Sequence, residues 1–345
     1  MLNLKSLSPR LIKNRISLFQ SYIKREPVSR GFPLELAIEL TNHCNADCIM
    51  CPRQKMSRKK GYMDFDLFKK IADEARDYVE LAFLHLAGEP LLHPDLFRIL
   101  DYCGKIGLNA SLSTNAILLD KVNSQRLIES PLKLLTLSFD GTTKGTYESI
   151  RGRSNFEGTR DNIQEFLRYK SKSKNAPHTV IQLIYMKENV NEVRDFIKKW
   201  KKSNVDSVRV KPYLNYPGLD EYHGQLPKKS NVKPCVFLWR QLAIYWDGTA
   251  VACCMDFLSQ MIVGNVAQES IKEIWNGKKM VDMRRIHAKG QSGAISLCKD
   301  CPIPQVNTCL LLGTVFFDDL TIKKVLPKIE GLTVFKKFRK LGVFN

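Results

Sequence analysis

Short apolar runs alternate along the chain with segments of helical periodicity. The first run, Leu34–Leu40, alternates leucine with other residues as a β-strand does. Glu35 and Glu39 have the opposite parity to its leucines, so we expect them to point into the barrel or sheet interior. The whole pattern predicts six strands, at Leu34–Leu40, Leu81–Leu86, Leu108–Leu112, Leu134–Phe139, Thr179–Met186 and Ser207–Val210.

Helical patterns separate these strands. After the first strand, Asp64 is placed to cap a helix, and a second amphipathic helix follows the fifth strand. The apolar stripes of these two helices are Leu67, Phe68, Ile71, Ala72 and Ala75, and Val193, Phe196, Ile197 and Trp200. Strands that alternate with helices predict an α/β fold of parallel βα units, packed as an open or closed barrel or as a doubly wound sheet.

The length of 345 residues suits one large domain or two of moderate size. The sequence has no run of about 18 apolar residues that could span a bilayer. Its basic N-terminus, residues 1–30, lacks the apolar stretch of a secretory signal, so we expect a cytoplasmic, reducing setting. In that setting the ten cysteines are expected to be metal ligands rather than members of disulfides.

The net charge of +19 is concentrated at the two ends of the chain. Residues 1–30 carry seven Lys/Arg against one Glu, and residues 318–345 carry seven against three acidic residues, so the ends supply +10. This distribution argues against a basic channel for nucleic acid through the body of the protein. The C-terminal segment is compatible with an anionic membrane surface, although a helix packed on the domain with a solvated basic face is favoured.

Three cysteines follow the first predicted strand at the spacing C-x3-C-x2-C: Cys44, Cys48 and Cys51. Three thiolates on one short loop leave the fourth position of a metal centre open, as catalytic sites do. A structural zinc site with His43 as fourth ligand is an alternative, and a disulfide within an odd triplet is disfavoured. The remaining interpretation is an iron–sulfur cluster in which one iron lacks a protein ligand.

With Met50 in the apolar position before the third cysteine, the triplet resembles the C-x3-C-x-φ-C motif of the radical S-adenosylmethionine (radical SAM) enzymes. The resemblance implies a 4Fe-4S cluster bound by the three cysteines and by S-adenosylmethionine, which is cleaved to a 5′-deoxyadenosyl radical. It also implies a partial (β/α)6 TIM-like barrel and a reduced flavodoxin- or ferredoxin-type electron donor.

Motifs that resemble the family's cofactor contacts follow the next strands. Ala87-Gly88-Glu89-Pro90 resembles its Gly-Gly-Glu-Pro motif, and Ser113-Thr114-Asn115 resembles its Ser/Thr-Asn-Gly element with Ala116 in place of the glycine. Ser138-Phe139-Asp140-Gly141 matches its Ser-φ-Asp-Gly. Arg151 is either the partner of the cofactor carboxylate or a surface arginine. The residues thereby expected to contact S-adenosylmethionine are Met50, Gly88, Glu89, Pro90, Ser113, Asn115, Ser138, Asp140 and Arg151.

A second cysteine set consists of Cys235, Cys253 in a G-x4-C spacing from Gly248, and Cys298 and Cys301 in a C-x2-C spacing. This set resembles the SPASM and twitch extensions of radical SAM enzymes. One auxiliary 4Fe-4S cluster bound by these four cysteines is therefore expected. Cys254 could replace Cys253, Cys309 is spare, and a structural zinc site is the alternative. The predicted division is a basic N-terminal segment at 1–33, the radical SAM barrel at 34–222, the SPASM/twitch-type domain at 223–310 and a basic amphipathic tail at 311–345.

These features predict a radical SAM oxidoreductase. Its resemblance to aminocyclitol alcohol dehydrogenases with a twitch domain favours a sugar, a cyclitol or another small hydroxylated metabolite as substrate, with the auxiliary cluster as electron acceptor. A peptide- or protein-modifying maturase is the first alternative. A radical epimerase, in which a cysteine such as Cys309 returns a hydrogen atom, is the second. A non-catalytic metal-binding scaffold would keep the cysteines without cleaving S-adenosylmethionine.

Overall fold

The computed structural model describes residues 8–213, 216, 234–299 and 301. Within these residues, nine strands form one sheet and two form a short ribbon. The strands are β1 (Glu35–Ile38), β2 (Asp47–Cys48), β3 (Leu81–Phe83), β4 (Ala110–Thr114), β5 (Leu134–Ser138), β6 (Arg151–Gly152), β7 (His178–Tyr185), β8 (Ser207–Pro212), β9 (Gln241–Ile244), β10 (Thr249–Val251) and β11 (Ile262–Asn265).

Helices cover much of the described chain between the strands. They are α1 (Pro9–Ile23), α2 (Phe65–Ala75), α3 (Leu96–Ile106), α4 (Lys121–Glu129), α5 (Lys144–Ile150), α6 (Phe156–Lys170), α7 (Val193–Trp200), α8 (Ile271–Trp275), α9 (Lys278–Ala288) and α10 (Ser296–Lys299). In the described part of the chain, none is long and apolar enough to cross a membrane. Asp64 caps α2 as predicted, since its carboxylate accepts hydrogen bonds from the amides of Asp66 (2.8 Å) and Leu67 (3.3 Å).

Six parallel strands form the centre of the sheet, in the order β1-β3-β4-β5-β7-β8. They are the six predicted strands, with ends shifted by up to three residues. Each is a neighbour of the next long strand along the chain, and helices make the crossovers. This is the repeated βα arrangement of the predicted partial barrel.

The two faces of the sheet differ in polarity. One face packs on the helices, and its residues, such as Leu36 and Leu135, belong to the main hydrophobic core. On the other face, Leu81, Leu134 and Val180 form a separate apolar cluster at the amino-terminal half of the strands. Because side chains alternate along a strand, the positions that follow on this second face line the inside of the barrel.

The expected inward-facing glutamates are buried. Glu35 stands beside Leu81 in the sheet register, which places it on the inner face. Glu35 and Glu39 are 2% and 0% exposed, and burial at that level requires ionic or hydrogen-bonding partners. The side-chain amide of Gln241 donates to Glu35 at 3.2 Å.

The C-terminal part of the chain extends the same sheet. β9 pairs in parallel with β1, so that Ile38 lies beside Ile244. β10 and β11 continue outward as antiparallel strands. The sequence pattern did not predict these strands. Their pairing means that the second cysteine region is built on the edge of the barrel sheet.

Candidate active site

The three cysteines of the first motif lie together beyond the end of β1. All are half-buried free thiols, and β2, which contains Cys48, pairs with β6. Burial raises the pKa of each thiol, to about 11 for Cys48, and neighbouring cysteines raise it further for Cys48 and Cys51. Three half-buried thiols that influence one another fit a positively charged centre, which would hold them as thiolates.

The segment Ala87–Pro90 supports the cysteine loop from the barrel side. The amide of Glu89 donates to the carbonyl oxygen of His43 at 2.8 Å, one residue before the first cysteine. At Gly88 the two backbones approach so closely that a Cβ would stand 2.2 Å from the carbonyl oxygen of Thr41. Glycine is therefore required at this position for packing alone.

The Glu89 carboxylate joins the end of β3 to the end of β4. It accepts hydrogen bonds from the amide of Leu91 (3.1 Å), the hydroxyl of Thr114 (2.8 Å) and the amide of Asn115 (2.8 Å). Burial raises the pKa of Glu89, and the hydrogen bonds from Asn115 and Thr114 oppose that shift. The motif comparison did not assign a role to Thr114, although it lies between two residues expected in the site.

Asn115 links β4 directly to the cysteine loop. Its side-chain Nδ2 donates to Asn45 Oδ1 at 2.8 Å and to Cys44 Sγ at 3.8 Å. The next residue, Ala116, has a φ of 62°. This left-handed conformation favours glycine, which accounts for the glycine in the motif that this segment resembles.

A buried ion pair lies beside the cysteines. Arg151 donates from Nε to Asp140 Oδ2 at 2.7 Å, and Asp140 Oδ1 accepts from the amide of Ile184 at 2.6 Å. Arg151 also lowers the pKa of all three cysteine thiols, against the larger effect of burial. Its charge therefore acts on the whole site. Arg151 is buried rather than on the surface, and its contact with a cofactor carboxylate stays a prediction.

The remaining expected cofactor residues lie nearby. The hydroxyl oxygens of Ser113 and Ser138 are 3.3 Å apart on adjacent strands. Met50 packs against a small apolar cluster that includes Ile150 and Met186. Contacts thus connect the cysteine loop to the ends of β3, β4 and β5, where catalysis takes place in barrels of this kind.

The second cysteine set also converges on one region. Burial raises the pKa of Cys235, and the neighbouring thiols of Cys253, Cys301 and Cys298 raise it further. The amide of Cys235 donates to His287 Nδ1 at 3.2 Å, which fixes this cysteine against α9. Four half-buried thiols, three of which act on the fourth, fit a four-iron cluster, which takes one thiolate per iron.

The spare cysteines differ in position. Cys254 packs against an apolar cluster that contains Ala37 and Tyr245, whereas Cys253 packs against the main core. Cys309 lies outside the described residues. Among the described residues, no group of three or more His, Cys, Asp or Glu side chains is arranged to hold a single metal ion.

A cluster that the sequence did not reveal joins the two cysteine regions. Arg58 binds both carboxylate oxygens of Glu39, each at 2.8 Å. Its guanidinium carbon lies 3.6 Å from the centre of the Tyr245 ring, and the Tyr245 hydroxyl donates to the carbonyl oxygen of Asp256. The one sequence feature that pointed to this cluster was the charge of Glu39 at a position expected to face inward.

Comparison with protein families identifies the class of this protein. The radical SAM superfamily matches residues 38–199, and the SPASM iron-sulfur cluster-binding domain matches residues 235–302. The chain therefore belongs to the radical SAM superfamily and carries a SPASM domain. This confirms the predicted family, the fold class and the cofactors: a 4Fe-4S cluster with S-adenosylmethionine, and auxiliary iron–sulfur binding.

Curated relatives carry out different reactions according to their names. A tungsten-containing aldehyde ferredoxin oxidoreductase cofactor-modifying protein of Pyrococcus furiosus is 23% identical over 78% of this chain and 87% of its own. An S-adenosyl-L-methionine-dependent 2-deoxy-scyllo-inosamine dehydrogenase of Niallia circulans is 25% identical over 79% of this chain and 94% of its own. The subtilosin biosynthesis protein AlbA of Bacillus subtilis is 23% identical over 71% of this chain and 60% of its own.

Solved structures show the same fold. BtrN in complex with AdoMet and 2-DOIA has a TM-score of 0.53 at 20% identity, covering 78% of this chain and 92% of BtrN. Streptococcus suis SuiB bound to the precursor peptide SuiA has a TM-score of 0.61 at 16% identity, covering 88% of this chain and 78% of SuiB. At these identities the similarity concerns the fold alone.

Proposed function

We propose that this protein is a radical SAM oxidoreductase that dehydrogenates a small hydroxylated metabolite, such as a sugar or cyclitol. When bound, the first cluster and S-adenosylmethionine supply a 5′-deoxyadenosyl radical, and the auxiliary cluster supplies a one-electron acceptor. An alcohol carbon would lose a hydrogen atom to that radical, and then one electron and the hydroxyl proton, to give a ketone. One electron from an external donor, passed through the first cluster, would balance the cleavage of S-adenosylmethionine to methionine and, with the hydrogen atom from the substrate, 5′-deoxyadenosine.

The inner wall of the barrel carries this proposal. The sheet register places Ser113 beside Thr136, Ser138 beside Gln182, and Gln182 beside Arg209. These side chains follow the apolar cluster on the same face, toward the ends of the strands. Such a wall offers hydrogen-bond donors and acceptors across four strands, which suits a substrate with several hydroxyl groups.

The auxiliary cysteines support an electron acceptor rather than a substrate-binding metal. Cys235, Cys253, Cys298 and Cys301 supply four thiolates, so a cluster held by all of them has no open iron. Such a cluster can accept an electron without binding the substrate. The Arg58–Glu39 pair and Tyr245 connect the segment after the first cysteine set with the segment before the second, and this contact would help to keep two bound clusters at a constant separation.

The decisive experiment uses anaerobically reconstituted enzyme with a chemical reductant. We expect a ketone product and 5′-deoxyadenosine in equal amounts from one member of a pool of sugars and aminocyclitols. Deuterium from the reacting carbon should appear in 5′-deoxyadenosine. Deuterium from solvent in the product carbon would instead indicate epimerisation, and a product only from a peptide pool would indicate a maturase.

A variant of the wall tests the substrate contact separately. Gln182→Leu should lower kcat/KM about tenfold to a hundredfold through lost hydrogen bonding, while substrate-free cleavage of S-adenosylmethionine remains unchanged. Val122→Leu, on the exposed face of α4, is the matched control and should change neither rate. Equal kcat/KM for Gln182→Leu and the wild type would remove the inner wall from the proposed substrate site.

A further inference from the structure

We propose that the outer face of α1 binds an anionic phospholipid surface. The helix is an integral part of the fold, because Leu18 and Tyr22 are buried in the main core. Asn14 donates to the carbonyl oxygen of Phe32 at 2.9 Å, and the Tyr22 ring meets Trp239 edge-on with centroids 5.7 Å apart. The opposite face of α1 therefore has a fixed orientation at the protein surface.

That opposite face carries a stripe of isoleucines. Ile12, Ile16 and Ile23 are 38%, 43% and 50% exposed. They occupy positions i, i+4 and i+11, which lie on one side of a helix. Single exposed apolar residues are ordinary, but three on the same side of one helix give this face the apolar character of an interaction site.

Charge identifies the kind of partner. Lys13 and Lys24 are exposed beside the stripe, and the sequence of α1 contains no Asp or Glu. An apolar stripe flanked by cations matches a bilayer with anionic headgroups, where the isoleucines enter the interface and the lysines meet phosphates. A second copy of the chain would present the same positive charge and is disfavoured.

The position of α1 determines how the bound protein would face. Arg15 on α1 contacts Glu80, which directly precedes β3, so the helix lies at the amino-terminal ends of the barrel strands. The cysteine loop lies at their carboxyl ends. Docking through α1 would therefore turn the candidate active site away from the lipid, toward a soluble substrate. The proposed lipid binding does not depend on the proposed reaction.

The test is sedimentation of the full chain with vesicles of phosphatidylcholine alone or mixed with phosphatidylglycerol. We expect binding to the mixed vesicles that weakens as salt is added. The double variant Ile16→Gln/Ile23→Gln keeps the charge and should lower the partition coefficient at least about tenfold. Gln20→Ala, at an exposed position of the same helix, is the matched control and should bind like the wild type.

Three outcomes would overturn the proposal. The first is equal sedimentation with neutral and mixed vesicles. The second is undiminished binding by the isoleucine variant, which would assign any lipid affinity to another surface. The third is concentration-dependent dimerisation that the variant abolishes, which would assign the stripe to a second copy. Unchanged thermal unfolding and S-adenosylmethionine cleavage by the variant would show that its loss of binding reflects the surface and not misfolding.

Discussion

Gly88 faces the carbonyl oxygen of Thr41 so closely that a Cβ would lie 2.2 Å from it. Neither backbone can yield without moving the cysteine loop or the end of β3. We therefore expect Gly88→Ala to lower both the iron content of the first site and 5′-deoxyadenosine formation, the latter at least about tenfold, through overpacking. Anaerobic reconstitution followed by product quantification measures both.

Gly145 provides the control for that substitution. It lies in α5, and a Cβ there would meet nothing within 4 Å. Gly145→Ala should leave iron content and cleavage unchanged and add a few tenths to about 1 kcal/mol of stability by helix propensity. Normal iron loading and cleavage in Gly88→Ala would contradict the packing role assigned to that glycine.

Cys253 and Cys254 make a second matched pair. The thiol of Cys253 influences Cys235. Cys254 is hydrogen-bonded to Cys253 and packs in the apolar cluster of Tyr245. We expect Cys253→Ala to reduce the iron content from about eight to about four per chain, while Cys254→Ala keeps about eight. Iron analysis with electron paramagnetic resonance distinguishes the clusters. The reverse result would make Cys254 the ligand.

We expect the Arg58–Glu39 pair to contribute to the free energy of unfolding. Glu39 is fully buried, so Arg58→Met leaves an unpaired carboxylate and should cost about 3–5 kcal/mol of unfolding free energy. Arg58→Met/Glu39→Gln should recover part of that loss. The cycle is measured by chemical unfolding of the reconstituted protein.

An exposed pair provides the comparison. Lys69 and Asp73 are 2.7 Å apart, with side chains 48% and 37% exposed, so Lys69→Met should change stability by less than about 1 kcal/mol. If Arg58→Met and Lys69→Met had equal effects, the buried pair could not be what stabilises the contact between the two cluster regions.

His93 gives the fold a dependence on pH. Its Nδ1 accepts from the amide of Asp95, so its Nε2 donates to the carbonyl oxygen of Met63 at 2.9 Å. Burial lowers the pKa of His93 below its usual value of about 6.5, against smaller raising effects of Met63 and Asp95. The contribution of neutral His93 to the stability of the fold is therefore complete above about pH 6.5, and it is lost as the pH falls through the lowered pKa.

The corresponding measurement is thermal unfolding at pH 7.5 and at mildly acidic pH. The wild type should lose more stability on acidification than His93→Gln, which cannot take up a proton. An identical pH dependence in the two proteins would mean that other groups account for the acid sensitivity.

Much of the barrel was predictable because the relevant information is local. The cap at Asp64 and the stripe of α7 depend on neighbouring residues, and all six parallel strands followed from short apolar runs. The cysteine loop is local as well, and it predicted the class of chemistry through its resemblance to the radical SAM motif. Thiols in a short loop have few alternatives.

Interactions between distant segments were not predictable in this way. The pairing of Arg58 with Glu39 and its stacking on Tyr245 depend on the packing of three separate segments. The motif comparison likewise identified Asn115 but not its hydrogen bond to Asn45, and it gave Arg151 a cofactor role without revealing the Asp140 carboxylate beside it. Such contacts exist only after the chain has folded.

The pairing of β9 with β1 also bears on how the chain is made. While the nascent polypeptide emerges from the ribosome, β1 can pair with β3 early. The other edge of β1 stays unpaired until residues 241–244, which form β9, have been translated. An open strand edge is a template for unwanted pairing. A chain truncated before β9 would leave this edge of β1 unpaired, and we expect it to aggregate.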